Sequence, residues 1–236
     1  MKYLTLSLIT IALLANGCGG SSSSEPEEST KITTVAEAKT NFKALGGISS
    51  FGEASTTVNT NNKLQKSSSQ KSGTKACDSG SLTYNISDDE NSITITSDQC
   101  RLNDNTVNGS MSLNTLSNGS EEIIFKNLSM SNPNESFSAT SLVMISNDTE
   151  HWMQMDGDLK ITSKCFSGKY DFKTIEKLYE VQGTGDNIER GILEMNGVRY
   201  TFNNPNVTIQ VGTQTETILQ TELDKRMNST ATTCTQ

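Results

Sequence analysis

The chain has 236 residues, enough for one large or two small domains, and an all-β chain of this length usually forms one domain. Hydrophobic residues make up 33% and aromatic residues 6% of the chain, a composition that favours a thin, well-solvated β structure over a thick core. The formal net charge is −8, whereas binding to a nucleic-acid backbone requires clustered Lys and Arg. We therefore expect no nucleic-acid partner.

Residues 1–17 have the composition of a secretory signal peptide. Lys2 gives a short basic start, residues 3–15 form an apolar run, and small residues precede Cys18. The apolar run is too short for a stable transmembrane helix, and a buried amino-terminal strand is the less favoured alternative. The sequence therefore predicts an exported protein whose signal is removed before Cys18.

Cys18 and its neighbours resemble the lipobox of bacterial lipoproteins, in which a small residue precedes an acylated cysteine. Gly17 is the small residue here, and the leucine usually found three residues before the cysteine lies one position earlier, at Leu14. The resemblance implies that Cys18 carries diacylglyceryl and amide-linked acyl groups such as palmitate, which anchor a chain without a membrane-spanning segment. Because Gly19 rather than Asp follows, it also implies the outer membrane, with the domain facing the periplasm or the cell surface.

Two polar segments are predicted to lie outside the regular structure. Residues 18–33 are rich in Ser, Gly, Pro and Glu, which favours a flexible tether behind the lipidated cysteine. Residues 52–76 are rich in Ser with scattered Lys, and we interpret them as a mobile, solvated loop. Contact of these lysines with anionic lipopolysaccharide or a cell-wall polymer is the alternative.

One amphipathic helix is predicted at the start of the 34–76 region. Thr34 and Glu37 have the spacing of a capping box, and Gly46-Gly47 follows as a stop signal. An amphipathic stripe usually packs on its own core, with partner binding as the alternative. The apolar face consists of Val35, Ala38, Phe42 and Leu45.

Four cysteines remain when the lipidated Cys18 is set aside, and an even number in an oxidising compartment predicts two disulfides. A zinc or redox site is the alternative, but such sites usually have cysteines in close sequence spacing, which is missing here. We therefore expect no metal and no cofactor. The preferred pairing, which keeps each disulfide within one of two similar halves of the chain, is Cys77 with Cys100 and Cys165 with Cys234.

From Cys77 onward, apolar and polar residues alternate with period two, as in half-buried antiparallel strands. This pattern predicts a mainly β fold: a curved antiparallel meander sheet or half-barrel of about ten to twelve strands, preceded by the one helix. The apolar positions include Leu82/Tyr84/Ile86, Ile93/Ile95, Met111/Leu113, Tyr170/Phe172, Val198/Tyr200/Phe202 and Val207/Ile209/Val211. Dipeptides that suit tight hairpins are Asn118-Gly119, Asp156-Gly157 and Asn196-Gly197.

Weak internal similarity divides the β domain, residues 77–236, into two halves over 77–130 and 165–212. The segment starting at Cys77 is similar to the one starting at Cys165, and Val107–Met111 is similar to Met195–Arg199. Short matches of this kind suggest two copies of one meander. The Cys-x-Ser-Gly start and the Asn-Gly hairpin resemble uncharacterised Ser/Thr/Asn-rich β lipoproteins of proteobacteria, a resemblance that implies the fold class and no particular activity.

No catalytic constellation is recognisable, so we predict that the protein is not an enzyme. His151 is the sole histidine, and no nucleophile turn accompanies it; we interpret Trp152, Met153 and Met155 beside it as packing residues. Acidic residues lack the spacing of a calcium loop and are common in turns for backbone reasons. These residues are Asp88-Asp89-Glu90, Asp156, Asp158, Asp98 and Asp104.

Three hypotheses for function follow. The leading one is an outer-membrane-anchored, non-enzymatic module with a structural or interaction role in the envelope, whose partner could be a protein, a glycan or a lipid. The second is a periplasmic lipid or lipoprotein carrier, similar in architecture to known carrier and acceptor folds, which requires a continuous apolar concavity of roughly several hundred Å³. The third is an envelope enzyme acting on glycans, for which no residue gives positive support.

Overall fold

The computed structural model describes residues 28–45, 71–102, 104–133, 135–163, 167–181 and 187–228. In these residues, twelve antiparallel strands follow one another in chain order in a single curved, unclosed sheet, with helical segments before and after it. The predicted meander fold is therefore confirmed. The elements are α1 (Val35–Asn41), β1 (Ser72–Ala76), β2 (Ser79–Ile86), β3 (Ser92–Leu102), β4 (Asn105–Thr115), β5 (Glu121–Ser131), β6 (Glu135–Asn147), β7 (Trp152–Ser163), β8 (Ser167–Glu180), β9 (Ile188–Met195), β10 (Val198–Asn203), β11 (Asn206–Val211), β12 (Gln214–Leu219) and α2 (Gln220–Asn228).

Alternate residues of the strands point to one face of the sheet, here called the inner face, and form a single core. Phe125, Leu142, Leu159 and Leu193 are fully buried there. A strand with one buried face shows the period-two pattern because successive side chains point to opposite sides. The opposite, outer face carries mostly Ser, Thr and charged residues, so the sheet is stabilised almost entirely from one side.

Helix α1 begins where the capping box predicts. The Thr34 hydroxyl accepts a hydrogen bond from the Glu37 N–H at 3.2 Å, and the Glu37 carboxylate accepts one from the Thr34 N–H at 3.1 Å. The helix ends at Asn41, earlier than predicted, and Gly46-Gly47 lies outside the described residues. Its apolar face packs on β11 and β12 and belongs to the core, as expected for a helix that covers its own sheet.

Replacing Thr34 by Ala removes the acceptor for the Glu37 N–H, so we expect the free energy of unfolding to fall by about 1 kcal/mol. Urea denaturation measures this, with the fluorescence of the single tryptophan as the signal. Thr34→Ser keeps a hydroxyl at the same position and is the matched control, expected to stay close to the parent. Equal stability of the Ala and Ser variants would contradict the capping role.

Residues 28–33 lie against the sheet, although the sequence places them in the tether. The Thr30 N–H donates to the Lys169 carbonyl at 2.8 Å, and the Asn196 side-chain amide donates to the Thr30 carbonyl at 2.7 Å. These hydrogen bonds satisfy backbone groups of the segment, and Ile32 adds a buried apolar side chain to the core. The structure therefore fixes the chain to the start of β8 from residue 28 onward.

Two buried tyrosines on the sheet hold helix α1 in place. The Tyr200 hydroxyl donates to the Ala38 carbonyl at 2.9 Å, and the Tyr170 hydroxyl donates to the Asn41 side-chain oxygen at 2.8 Å. Burial raises the pKa of both phenols, that of Tyr170 to about 12. Both hydroxyls therefore remain protonated donors at neutral pH.

Glycines placed opposite β-bulges allow the strands to approach closely and the sheet to curve. Between Ser138 and Leu142, β6 carries one more residue than β7 does opposite them. Gly157 on β7 faces this bulge with φ of +131°, and a Cβ there would collide with the Ser141 carbonyl oxygen. Bulges bend and twist the strand that carries them. The predicted hairpin at Asp156-Gly157 is therefore wrong. This glycine lies in the middle of β7, where it allows the close approach of the β6 bulge.

The other two predicted hairpin dipeptides lie in turns. Asn196-Gly197 joins β9 directly to β10, with positive φ at both residues, and Asn118-Gly119 lies in the connection between β4 and β5. The internal similarity, in contrast, does not extend to local structure at its second match. Val107–Met111 lies within β4, whereas 195–199 forms the β9–β10 hairpin.

Strand β1 and helix α2 differ from the sequence prediction. Ser72–Ala76 falls in the predicted polar loop but pairs with β2 at the edge of the sheet, where few apolar residues are needed. Helix α2 is strongly polar, and among its described side chains Leu223 is the apolar residue that reaches the core. Neither element has the apolar periodicity on which the prediction depended.

Cys77 and Cys100 form a disulfide with a Cα–Cα distance of 5.4 Å, which is the preferred pairing for the first half of the domain. The bond joins the connection between β1 and β2 to the last part of β3, near the β1 edge of the sheet. Cys165 and Cys234 lie outside the described residues, as do Cys18 and the predicted signal peptide, residues 1–17. The second disulfide and the lipid anchor therefore remain predictions.

Candidate functional site

The apolar side chains of the inner face are buried in the part of the chain that the structure describes. A cavity of about 20 Å³ lies between β2, β3, β4 and β5, which is room for about one water molecule. Its lining is apolar except for Ser97, whose hydroxyl donates to the Val107 carbonyl at 2.8 Å. The side chains around it are those of Leu82, Ile95, Val107, Met111, Leu128 and Met130.

A larger depression lies on the outer face, across β8, β9 and β10, and has a volume of about 360 Å³. We call it the outer groove. Small-molecule sites commonly have volumes of about 300 to 1,000 Å³, so the outer groove is at the lower end of that range. Its lining consists of Glu176, Lys177, Tyr179, Arg190, Gly191, Ile192, Thr201 and Phe202.

Irregular pairing of β8 with β9 forms the outer groove. Between Thr174 and Tyr179, β8 carries two more residues than β9 does opposite them. The extra residues make β8 bulge while Leu178 remains in the core. On β9, Gly191 has φ of +140°, and a Cβ at this position would collide with the Lys177 carbonyl oxygen. The groove therefore depends on the backbone of two strands and is not a gap between mobile side chains.

Two cations in the outer groove rest on aromatic rings. The Lys177 ammonium lies 3.5 Å from the centroid of the Trp152 ring, and the Arg190 guanidinium carbon lies 3.8 Å from that of the Tyr179 ring. Trp152 pairs with Tyr179 across β7 and β8, and Tyr179 pairs with Arg190 across β8 and β9. Each cation therefore rests on a ring of the neighbouring strand, and the rings restrict where the cations can move.

Trp152 is almost completely buried, at 4% exposure, yet it does not belong to the core cluster. Its neighbour Met153 packs against the core, so Trp152 projects to the outer face. The Trp152 indole N–H donates to the Glu150 carboxylate at 2.6 Å, and Lys177 covers the ring. The prediction that Trp152 serves local packing is thus correct, but the packing is on the side of the outer groove.

His151 lies in the turn between β6 and β7, not in a strand, with φ of +54° and an exposed side chain. Its carbonyl accepts a hydrogen bond from the Glu180 N–H at 2.9 Å. Burial raises the pKa of the Glu180 carboxyl above its ordinary value, while His151 lowers it and Asp148 raises it. The exposed position of the His151 side chain is therefore a consequence of the turn in which the residue lies.

Two of the acidic residues singled out in the sequence, Asp89 and Asp158, bind backbone groups of a turn and of a strand. Asp89 accepts hydrogen bonds within its own turn, from the Ser87 hydroxyl at 2.6 Å and the Asn91 N–H at 3.1 Å. These hydrogen bonds lower the pKa of the Asp89 carboxyl. On β7, Asp158 accepts from the backbone N–H groups of Thr140 and Ser141 at the β6 bulge. Both carboxylates therefore satisfy local donors, as acidic residues in turns and bulges often do.

The described residues contain no group of three His, Cys, Asp or Glu side chains arranged to hold a metal ion. Neither described helix combines the length and the apolar character needed to cross a bilayer. Comparison of the chain with protein-family models, with curated proteins and with solved structures finds no match. The site is therefore described by its own geometry alone.

Sequence reasoning did not identify the outer groove. Strict alternation from Phe172 places residue 176 on the inner face, where a glutamate would be buried without a partner. The structure instead exposes Glu176 opposite Ile192, because the bulge shifts the alternation. The signal in the sequence was Glu176, a charged residue at a position that alternation places on the inner face. Such a residue indicates a bulge, but it does not indicate which side chains the bulge brings together.

Proposed function

We propose that this chain is a lipoprotein anchored through Cys18 to the outer membrane, and that it is a non-enzymatic interaction module of the cell envelope. The signal-like segment, the lipobox resemblance and the polar residues after Cys18 support the anchor. The Cys77–Cys100 disulfide supports an oxidising compartment outside the cytoplasm, where such bonds persist.

The observation that carries the interaction role is the contrast between the two faces of the sheet. The apolar side chains of the inner face are buried around a cavity of about 20 Å³, whereas the outer groove is open and has about 360 Å³. A carrier for an acyl chain requires an apolar concavity of roughly several hundred Å³, so the carrier alternative has less support. A binding surface on the outer face of the sheet fits a module that contacts other envelope components.

The anchor is tested by replacing Cys18 with Ser. We expect labelled palmitate to be incorporated into the parent and not into Cys18→Ser, because the acyl groups need the thiol. After cell fractionation, the variant should be found in the soluble fraction and the parent in the membrane fraction. Cys234→Ser is the control, since it also removes one cysteine and should keep the label.

Two results would contradict the proposal. Incorporation of palmitate into Cys18→Ser at the level of the parent would exclude this anchor. Turnover of an envelope glycan by the purified parent would exclude the non-enzymatic role.

A further inference from the structure

We infer that the outer groove binds an acidic oligosaccharide, a glycan chain with carboxylate groups on its sugar rings. The inference deepens the proposed function, on which it rests for the envelope setting in which such polymers occur. Three features of the groove support it: a preformed shape, two cations without an acidic partner in the described chain, and a mixture of carboxylate, hydroxyl and apolar groups.

The shape is preformed because backbone geometry produces it. The double bulge of β8 and the close approach of Lys177 to Gly191 hold the floor of the groove. A ligand that enters a preformed site does not have to order the protein, which lowers the cost of binding. The volume of about 360 Å³ suits a small part of a glycan chain rather than a protein segment.

The charges favour an anionic ligand. Within the described part of the chain, neither Lys177 nor Arg190 forms a salt bridge, although the protein has a net charge of −8. Their contacts are with the rings of Trp152 and Tyr179, which orient a cation without neutralising it. Each cation can therefore donate charge-assisted hydrogen bonds to a carboxylate of a ligand in the groove.

The remaining lining distinguishes an acidic sugar from a simple anion. The Glu176 carboxylate repels a bare phosphate or sulfate, but it accepts hydrogen bonds from sugar hydroxyls. Thr201, which pairs with Ile192 across β9 and β10, adds a hydroxyl, and Ile192 adds an apolar surface for the C–H groups of a ring. A ligand with hydroxyls, an apolar ring face and a carboxylate uses all of these groups together.

The experiment is a titration of the purified full chain in detergent, followed by the fluorescence of Trp152. This residue is the only tryptophan, and Lys177 lies on its ring, so a ligand that contacts Lys177 should change the emission. The probes are trigalacturonate, the same trisaccharide with its carboxyl groups reduced to alcohols, and inorganic phosphate. We expect saturable binding of trigalacturonate that weakens as salt is added, and at least tenfold weaker binding of the other two.

Two variants test the assignment to the groove. Lys177→Gln and Arg190→Gln should each weaken trigalacturonate binding by about tenfold, the usual effect of removing a charge-assisted hydrogen bond. Arg199→Gln is the matched control, because Arg199 is also on the outer face but is paired with Glu194 at 2.8 Å. For Lys177→Gln, which changes the surroundings of the fluorophore, calorimetry provides the binding constant.

The outcomes separate this inference from the proposed anchor. Absence of trigalacturonate binding, equal binding of the reduced trisaccharide or of phosphate, or unchanged binding by both groove variants would each overturn it. The titration does not depend on where the protein resides in the cell. A negative result therefore leaves the palmitate experiment unaffected, and loss of the anchor leaves the binding result standing.

Discussion

Gly157→Ala should destabilise the protein by about 4 kcal/mol, the sum of a strained backbone and an overpacked contact. Gly157 has φ of +131°, which is accessible to glycine and strongly unfavourable for other residues. The added methyl group would also collide with the Ser141 carbonyl, which the β6 bulge holds against Gly157. Because a domain is stabilised by only about 5 to 15 kcal/mol, much of the variant should be unfolded at mild urea concentrations.

Gly119→Ala is the matched control for this change. Gly119 also has positive φ, at +77°, but no atom beyond its two neighbours in the chain lies within 4 Å of the position that a Cβ would take. Backbone strain alone should cost about 1 kcal/mol. Urea denaturation of both variants, followed by tryptophan fluorescence, separates strain from collision. Equal losses of stability in the two variants would contradict the close approach of β6 to β7 at Gly157.

The second large effect is expected when the Cys77–Cys100 disulfide is removed by a double replacement with Ala. The bond spans 23 residues and restricts the unfolded chain, so its loss should lower the free energy of unfolding by about 3 kcal/mol. The loss should be concentrated at the β1 edge, because β1, β2 and β3 lie near the bond and β1 contributes little to the core.

Hydrogen exchange and urea denaturation of oxidised protein measure this effect. Amides of β1 and β2 should lose more protection in the double variant than amides of β10 and β11, which lie at the other end of the sheet. A reductant should reproduce the same regional loss in the parent. A urea midpoint equal to that of the parent would show that the bond does not stabilise the domain.

The strands could be predicted from the sequence because one-sided burial produces period two. The core positions Ile95, Met111, Phe172 and Ile209 all lie on the inner face as that pattern requires. The positions of the bulges could not be predicted in the same way. Whether a glycine such as Gly157 forms a turn or faces a bulge depends on the neighbouring strand, and local sequence does not contain that information.

The outer groove and the docking of residues 28–33 could not be predicted from local sequence either. The groove brings together residues from three strands through a change of register, so no motif in any one strand indicates it. Residues 28–33 resemble a tether in composition, since polar segments usually remain unfolded. They lie on the sheet because Thr30 pairs with the backbone of β8 and the Ile32 side chain is buried in the core, and neither contact is marked by a periodic pattern.

The docking of Thr30 beside Lys169 also limits how far the start of β8 can lie from the predicted anchor. Ten peptide links separate Cys18 from Glu28, so the first docked residues can stand at most about 36 Å from an acylated Cys18. Lys169 lies near the beginning of β8 and Tyr179 near its end, which at about 3.3 Å per residue places the outer groove roughly 30 Å further along the strand. In a lipid-anchored copy the beginning of β8 would therefore stay within about 36 Å of the acyl groups, while the outer groove would lie at the far end of the same strand.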